Sequence, residues 1–107
     1  MDAVVDLRAG SPTYGKHALF ELDEEHANMI YLAEGLAHGF MVLSEWATLV
    51  YATTSGYAQE SDSGIRWDSA GIPWPDVNPI ISERDASLVP LDGFNTPFAF
   101  HAGDKDI

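Results

Sequence analysis

Two residues of this chain have the chemistry to exchange protons with a carbonyl compound from one cavity: His38 and Tyr51. An imidazole and a phenol can each act as acid, base or hydrogen-bond donor. Their spacing suggests that they meet. Residues 37–43 and 46–54 are rich in Val, Leu, Phe, Tyr and Thr, the composition of β-strands. With Ser44-Glu45 as a two-residue hairpin loop, His38 falls opposite Tyr51, and directly opposed Cβ atoms lie roughly 4.5–5.5 Å apart. A four-residue loop keeps both on one face, whereas a three-residue loop separates them. The same pairing also suits a buried histidine satisfied only by a tyrosine hydroxyl or backbone.

Around this pair the chain reads as short strands broken by turns. Residues 2–7, Asp-Ala-Val-Val-Asp-Leu, form a Val-rich buried strand. Ala9 to Gly15 is turn material, with Pro12 fixing φ and two glycines allowing sharp bends. Residues 16–22 give a second strand, residues 23–28 a polar loop and Met29 to Leu32 a further strand. The stretch from Ser55 to Gly64 is small and polar, and Trp67 to Pro79 holds two tryptophans and three prolines, so it is extended rather than helical. No 3.6-residue pattern competes, and frequent turns between short strands indicate an all-β sandwich or barrel. Residues 92–107 show no period and read as a loose tail.

Composition narrows the function. The chain has 107 residues, 46 % of them hydrophobic, enough for one domain. Its 17 acidic and 5 basic residues give a net charge of −12. That excludes an ordinary nucleic-acid binder, which needs a cationic stripe to displace counterions, and argues against an anionic membrane surface. With no cysteine there is no thiol catalysis, disulfide or zinc ribbon. His17, His26 and His101 sit in unrelated contexts with no His-x-His, so no metal site is expected. Neither a Gly-x-Ser-x-Gly elbow nor a phosphate-cradling glycine loop occurs. The longest apolar run is too short to span a bilayer, and no basic region followed by an apolar one opens the chain. A cytoplasmic protein is expected.

Several segments together resemble one family, the dTDP-4-dehydrorhamnose 3,5-epimerases of the cupin superfold. They are Val4-Val5-Asp6-Leu7-Arg8 with Ser11-Pro12-Thr13-Tyr14-Gly15, Glu34-Gly35-Leu36-Ala37-His38-Gly39-Phe40 and Leu49-Val50-Tyr51-Ala52-Thr53-Thr54. Gly64-Ile65-Arg66-Trp67-Asp68, Gly71-Ile72-Pro73-Trp74-Pro75 and Ile81-Ser82-Glu83-Arg84-Asp85 continue the set. Each alone is weak, but the ordered set is specific. The resemblance implies an antiparallel cupin jelly-roll β-sandwich over residues 1–91, incomplete here, with a Pro/Trp-rich C-terminal extension and the tail over 92–107.

It also implies a reaction: epimerisation at the carbons flanking the C4 ketone of a dTDP-4-keto-6-deoxyhexose, without cofactor or metal. By the same resemblance Tyr51 is the proton-donating acid, and Asp85 the carboxylate that orients the catalytic histidine. His38 contacts substrate, Arg84 is a cation able to meet the nucleotide, and Asp62 is the acidic residue that follows the tyrosine. The family's base lies in an Arg-Gly-x-His motif, and no such run occurs in these residues. The chain is therefore expected to carry the acid side of the site and to be impaired alone. Strands missing from the barrel would leave unpaired sheet edges, so a homodimer is expected. A non-catalytic cupin module, a half-domain pairing with a complete paralogue, and another NDP-hexose 3- or 5-epimerase are the rival readings.

Overall fold

The computed structural model describes residues 1–105. Its centre is one three-stranded antiparallel sheet in the order β2-β1-β3, with β1 at Asp2–Asp6, β2 at His17–Phe20 and β3 at Leu36–Phe40. Every residue of β1 is buried. A middle strand has both backbone edges hydrogen-bonded, and the branched valines suit the pleated surface. Ala3, Val4, Val5 and Leu7 are the buried apolar residues. Among the described residues one α-helix occurs, α1 at Glu83–Ala86, a single turn long, and 3₁₀ turns stand at Gln59–Ser61 and Leu91–Gly93. The organisation is all-β, as the turn-broken pattern indicates, and the sheet is small.

What fixes β1 is the chemistry at its end. Asp6 is fully buried, and an unpaired charge there would be costly. It is not unpaired. The Arg8 guanidinium donates to both carboxylate oxygens at 3.0 and 2.9 Å, and the Arg8 backbone N–H donates at 2.9 Å. The Ser11 and Thr13 hydroxyls add two bonds of 2.6 Å each. Burial pushes the Asp6 carboxyl upward, but the bonds from Arg8, Ser11 and Thr13 outweigh it and hold the group well below the usual carboxylate range. These donors lie on the turn after β1, so satisfying Asp6 also folds that turn back. The Gly15 N–H donates to the Asp6 carbonyl at 2.8 Å, and the chain enters β2.

The entry to β3 hangs on the same place. The Leu7 N–H donates to the Gly35 carbonyl at 2.9 Å. Gly35 adopts φ +86°, and a Cβ there would stand 2.4 Å from Arg8 Cγ, so only glycine fits the turn. β3 then runs antiparallel to β1, with His38 opposite Val4 and Phe40 opposite Asp2.

Four regions differ from the expectation drawn from sequence. Residues 29–32 and 46–54 have strand composition but lie in no strand. A strand exists only where a neighbour completes its hydrogen bonds, and none of the described residues does so for these segments. The ISERDA segment forms α1, capped by the Ser82 hydroxyl accepting from the Asp85 N–H at 3.1 Å. Finally, the segment read as a loose tail is tied down between Thr96 and Phe100. Ala9 exchanges backbone bonds of 2.9 Å with Phe98 and Phe100, the Thr96 hydroxyl donates to the Leu7 carbonyl, and the Arg8 guanidinium lies 5.1 Å from the centre of the Phe100 ring. The Phe100 ring finds cover against Arg8 while Phe98 stays exposed, a contact which the lack of periodicity does not reveal.

Two outcomes follow. Asp6→Asn removes the buried charge that Arg8, Ser11 and Thr13 surround and lowers unfolding free energy by about 3–5 kcal/mol, measured by urea denaturation near neutral pH. Because the folded-state carboxyl is depressed, this stabilisation is complete above the ordinary aspartate value of 3.8 and is lost as pH falls through the lower folded-state value. The gap between wild type and Asp6→Asn therefore narrows progressively below that pH. Gly35→Ala, facing the 2.4 Å approach and a positive φ, costs more than about 1 kcal/mol, read in the same assay.

Candidate active site

The pleat of β1 places Asp2, Val4 and Asp6 on one face, and the antiparallel register puts His38 and Phe40 of β3 on that same face. Asp2 is thus the diagonal neighbour of His38 across the sheet. Its carboxylate Oδ2 lies 2.8 Å from His38 Nε2. An ionised carboxylate only accepts, so Nε2 carries its proton toward Asp2, and the imidazole is held in a fixed orientation with Nδ1 as the remaining nitrogen. Asp2 is buried, and its other oxygen, Oδ1, makes no hydrogen bond among the described residues.

Tyr51 stands over this pair. Its ring meets the His38 ring edge-on, with centroids 6.1 Å apart and planes at 78°. Phe40 packs on another side of the imidazole at 6.3 Å. The structure therefore brings His38 and Tyr51 together without the hairpin ladder, since Tyr51 lies outside any strand. Partial burial raises the phenol above its ordinary value of 10, and the negative charge of Asp2 raises it further. The phenol is thus fully protonated at neutral pH, the state a proton donor requires.

Asp62, Arg84 and Asp85 form a second group. The Arg84 guanidinium reaches Asp85 at 2.7 Å and Asp62 at 3.0 Å. The hydrogen bond it donates to Asp85 and the charges of Asp62 and Asp85 strengthen the hold of that guanidinium on its proton. All three side chains are well exposed, so these ion pairs add little stability. Asp62 borders a cavity of about 180 Å³ beside Leu7, Phe94 and Phe98. Pockets for drug-sized ligands run to roughly 300–1,000 Å³, so a whole nucleotide sugar does not enter it.

Asp85, expected to orient a histidine, holds Arg84 in this structure, while Asp2 lies on His38 and Asp23 on His26. Sequence reasoning passed over Asp2. Its signal is faint: an acidic residue at an even spacing from Asp6 in a Val-rich strand, which marks a shared face but not a partner. His17, on β2, pairs with Val5 on the opposite face of β1 and takes no part in the pair.

The Asp2 charge beside Tyr51 has a measurable consequence. Asp2→Asn removes it, so the Tyr51 phenol ionises at lower pH, closer to its ordinary value of 10. Tyrosinate absorbance on raising the pH, with Tyr51→Phe as the subtraction that isolates this phenol, reads the shift. An unchanged or upward movement contradicts the geometry.

Comparison with known proteins adds the family. The profile of the dTDP-4-dehydrorhamnose 3,5-epimerase family matches residues 1–93. The chain is 42 % identical over 89 residues to a dTDP-4-dehydrorhamnose 3,5-epimerase of Sinorhizobium fredii, covering 80 % of this chain and 46 % of that protein. A protein of that name from Shigella flexneri is 42 % identical over 86 residues, 78 % of this chain and 48 % of its own length. A dTDP-4-dehydro-6-deoxyglucose 3-epimerase from a Streptomyces species is 42 % identical over 94 residues, 85 % of this chain and 48 % of its own. The chain spans about half the length of the curated relatives it matches. It belongs to the dTDP-4-dehydrorhamnose 3,5-epimerase family.

Proposed function

We propose that this chain carries the acid side of a sugar-nucleotide epimerase site, acting in the cytoplasm on a dTDP-4-keto-6-deoxyhexose. The observation that carries the reading is the contact of Tyr51 with a histidine whose ring is held by Asp2. Epimerisation beside a ketone needs a base to remove the α-proton, donors to stabilise the enolate, and an acid to return a proton to the other face. In this reading Tyr51 is the acid. His38 binds the sugar through Nδ1, its orientation set by Asp2. The open Oδ1 of Asp2 accepts from a sugar hydroxyl. Arg84, carried with Asp62 and Asp85 at the rim, offers the diphosphate a cation. Association as a homodimer belongs to the same proposal.

The step balances without a cofactor. The C–H bond beside the ketone breaks, its electron pair becomes the enolate, and the proton goes to a base. The enolate carbon then takes the Tyr51 proton on the opposite face, and the phenolate is reprotonated from solvent. Nothing in Tyr51 decides which flanking carbon is protonated, so a 3-epimerase reaction fits the same residues. A second reading has the chain bind the nucleotide sugar without turning it over.

Proton–deuterium exchange at the sugar carbons beside the ketone separates these. Incubated in D₂O with dTDP-4-keto-6-deoxyglucose, the chain exchanges about 10²–10⁴ times more slowly than a complete family member, the usual cost of losing a general base, and Tyr51→Phe reduces what remains. Binding of dTDP weakens with added salt and with Arg84→Ala. Binding without exchange favours the non-catalytic reading. Exchange at a full enzyme's rate places a base within these residues and overturns the acid-side assignment.

A further inference from the structure

The segment from Thr96 to Phe100 lies beyond residue 93, where the match to the family ends, yet it is bonded to the corner from which β3 starts. The Thr96 hydroxyl is used in both directions. It donates to the Leu7 carbonyl and accepts from the Phe98 N–H at 3.2 Å. Leu7 is buried, and a buried carbonyl that loses its donor is costly. The Ala9 N–H donates to the Phe98 carbonyl and the Phe100 N–H to the Ala9 carbonyl, each at 2.9 Å. The segment therefore lies as a short parallel strap beside residues 7–9.

This strap also touches the start of β3. A Cβ at Gly35 would stand 3.2 Å from Phe98 Cβ, besides its clash with Arg8. Phe94 and Phe98 share the cavity of about 180 Å³ with Leu7, Gly35, Leu36 and Ala37, and Ala37 is the residue before His38. The backbone joins the same parts. Leu7, whose carbonyl accepts from Thr96, gives its own N–H to the Gly35 carbonyl at 2.9 Å.

Register is what hangs on these contacts. His38 faces Asp2 because β3 pairs with β1 at Leu36 to Asp6 and at His38 to Val4. A slip of one residue would turn His38 to the other face of the sheet, away from Asp2. Little in β3 itself resists that slip. It is five residues long, contains Gly39 and pairs along one edge only. We propose that Thr96 is a positioning residue: acting through Leu7 and Gly35, the strap fixes the register of β3 and so holds His38 on Asp2. That this placement serves a sugar rests on the functional reading above. The placement itself is read without substrate.

The Nε2 proton of His38, directed at Asp2 across 2.8 Å, is the reporter. In ¹H–¹⁵N spectra of the imidazoles near neutral pH it gives a downfield signal that exchanges slowly with water and vanishes in His38→Gln. Thr96→Val keeps the side-chain shape and removes the hydroxyl. The exchange of that signal then accelerates at least about tenfold. Thr96→Ser returns the donor and restores slow exchange. Ser82→Ala, which strips the cap from α1, serves as a control that destabilises elsewhere and leaves the signal unmoved. If Thr96→Val does not fold, Phe100→Leu is read in its place. It keeps the backbone bonds of the strap, removes the ring beside Arg8 and moves the signal the same way. A strap that only adds stability lowers the unfolding midpoint but leaves the folded-state signal as in the wild type. That result overturns the proposal, as does a wild type without a protected Nε2 proton or an equal response to Ser82→Ala. A signal that behaves as expected in a chain that neither binds nor exchanges the sugar strikes the functional reading alone.

Discussion

A carboxylate with no exposed surface organises this molecule. Asp6 cannot stay ionised inside the protein unless donors surround it, and the donors it uses come from the seven residues that follow it. Meeting that demand bends the chain after β1 and delivers it to β2. It also stiffens Arg8, whose aliphatic stem leaves room only for glycine at position 35. The Gly35 carbonyl, held by the Leu7 N–H, starts β3 one residue later, and two residues on stands His38. The position of the histidine is thus a consequence of how a buried charge is satisfied at the far end of the neighbouring strand. The closing segment, Thr96 to Phe100, fastens the same corner from the other side.

Away from that corner the structure is held much more lightly. Among the described residues only four apolar side chains are buried, all within or beside β1. Side chains that would form the core of an ordinary domain of this size, Trp46 and Tyr57 among them, face outward. Hydrophobic stabilisation scales with apolar area removed from water, so the ordered corner leans on polar satisfaction while the open stretch contributes little until something covers it. Local stability should follow this division, with the sheet opening only in large fluctuations and residues 42–57 in small ones.

How far the sequence reveals this follows the range of each interaction. β1 is legible because Val-Val between acids leaves no other reading, and the Ser-Pro-Thr-Tyr-Gly turn is legible from Pro12 and Gly15. The Asp6 cluster spans at most seven residues and was within reach: alternation puts Asp6 and Arg8 on one face, and short hydroxyl side chains follow. The Asp2–His38 contact was not, since 36 residues separate the two and only the strand register joins them. Residues 46–54 show the limit from the other direction. Their propensity for strand is plain, but propensity states what a segment does beside a partner, and pairing is not a property of the segment alone.

The two carboxylates of β1 are satisfied very differently. Asp6 has donors for both oxygens and nothing left to offer. Asp2 sits on the same face between Phe20 and Phe40, binds one histidine nitrogen, and keeps one oxygen uncommitted. An unsatisfied buried acceptor normally costs about 1–3 kcal/mol, a strain that a bound hydroxyl would relieve. Its charge also biases Tyr51. A phenol beside an anion holds its proton more firmly, so giving it up leaves phenolate and carboxylate facing each other. That makes Tyr51 a poor acid toward water and toward a neutral ketone. It is a competent acid only toward a far stronger base, such as the carbanion of an enolate. In the proposed reading, Tyr51 therefore serves the return of a proton after the α-proton has left, the second half of an epimerisation.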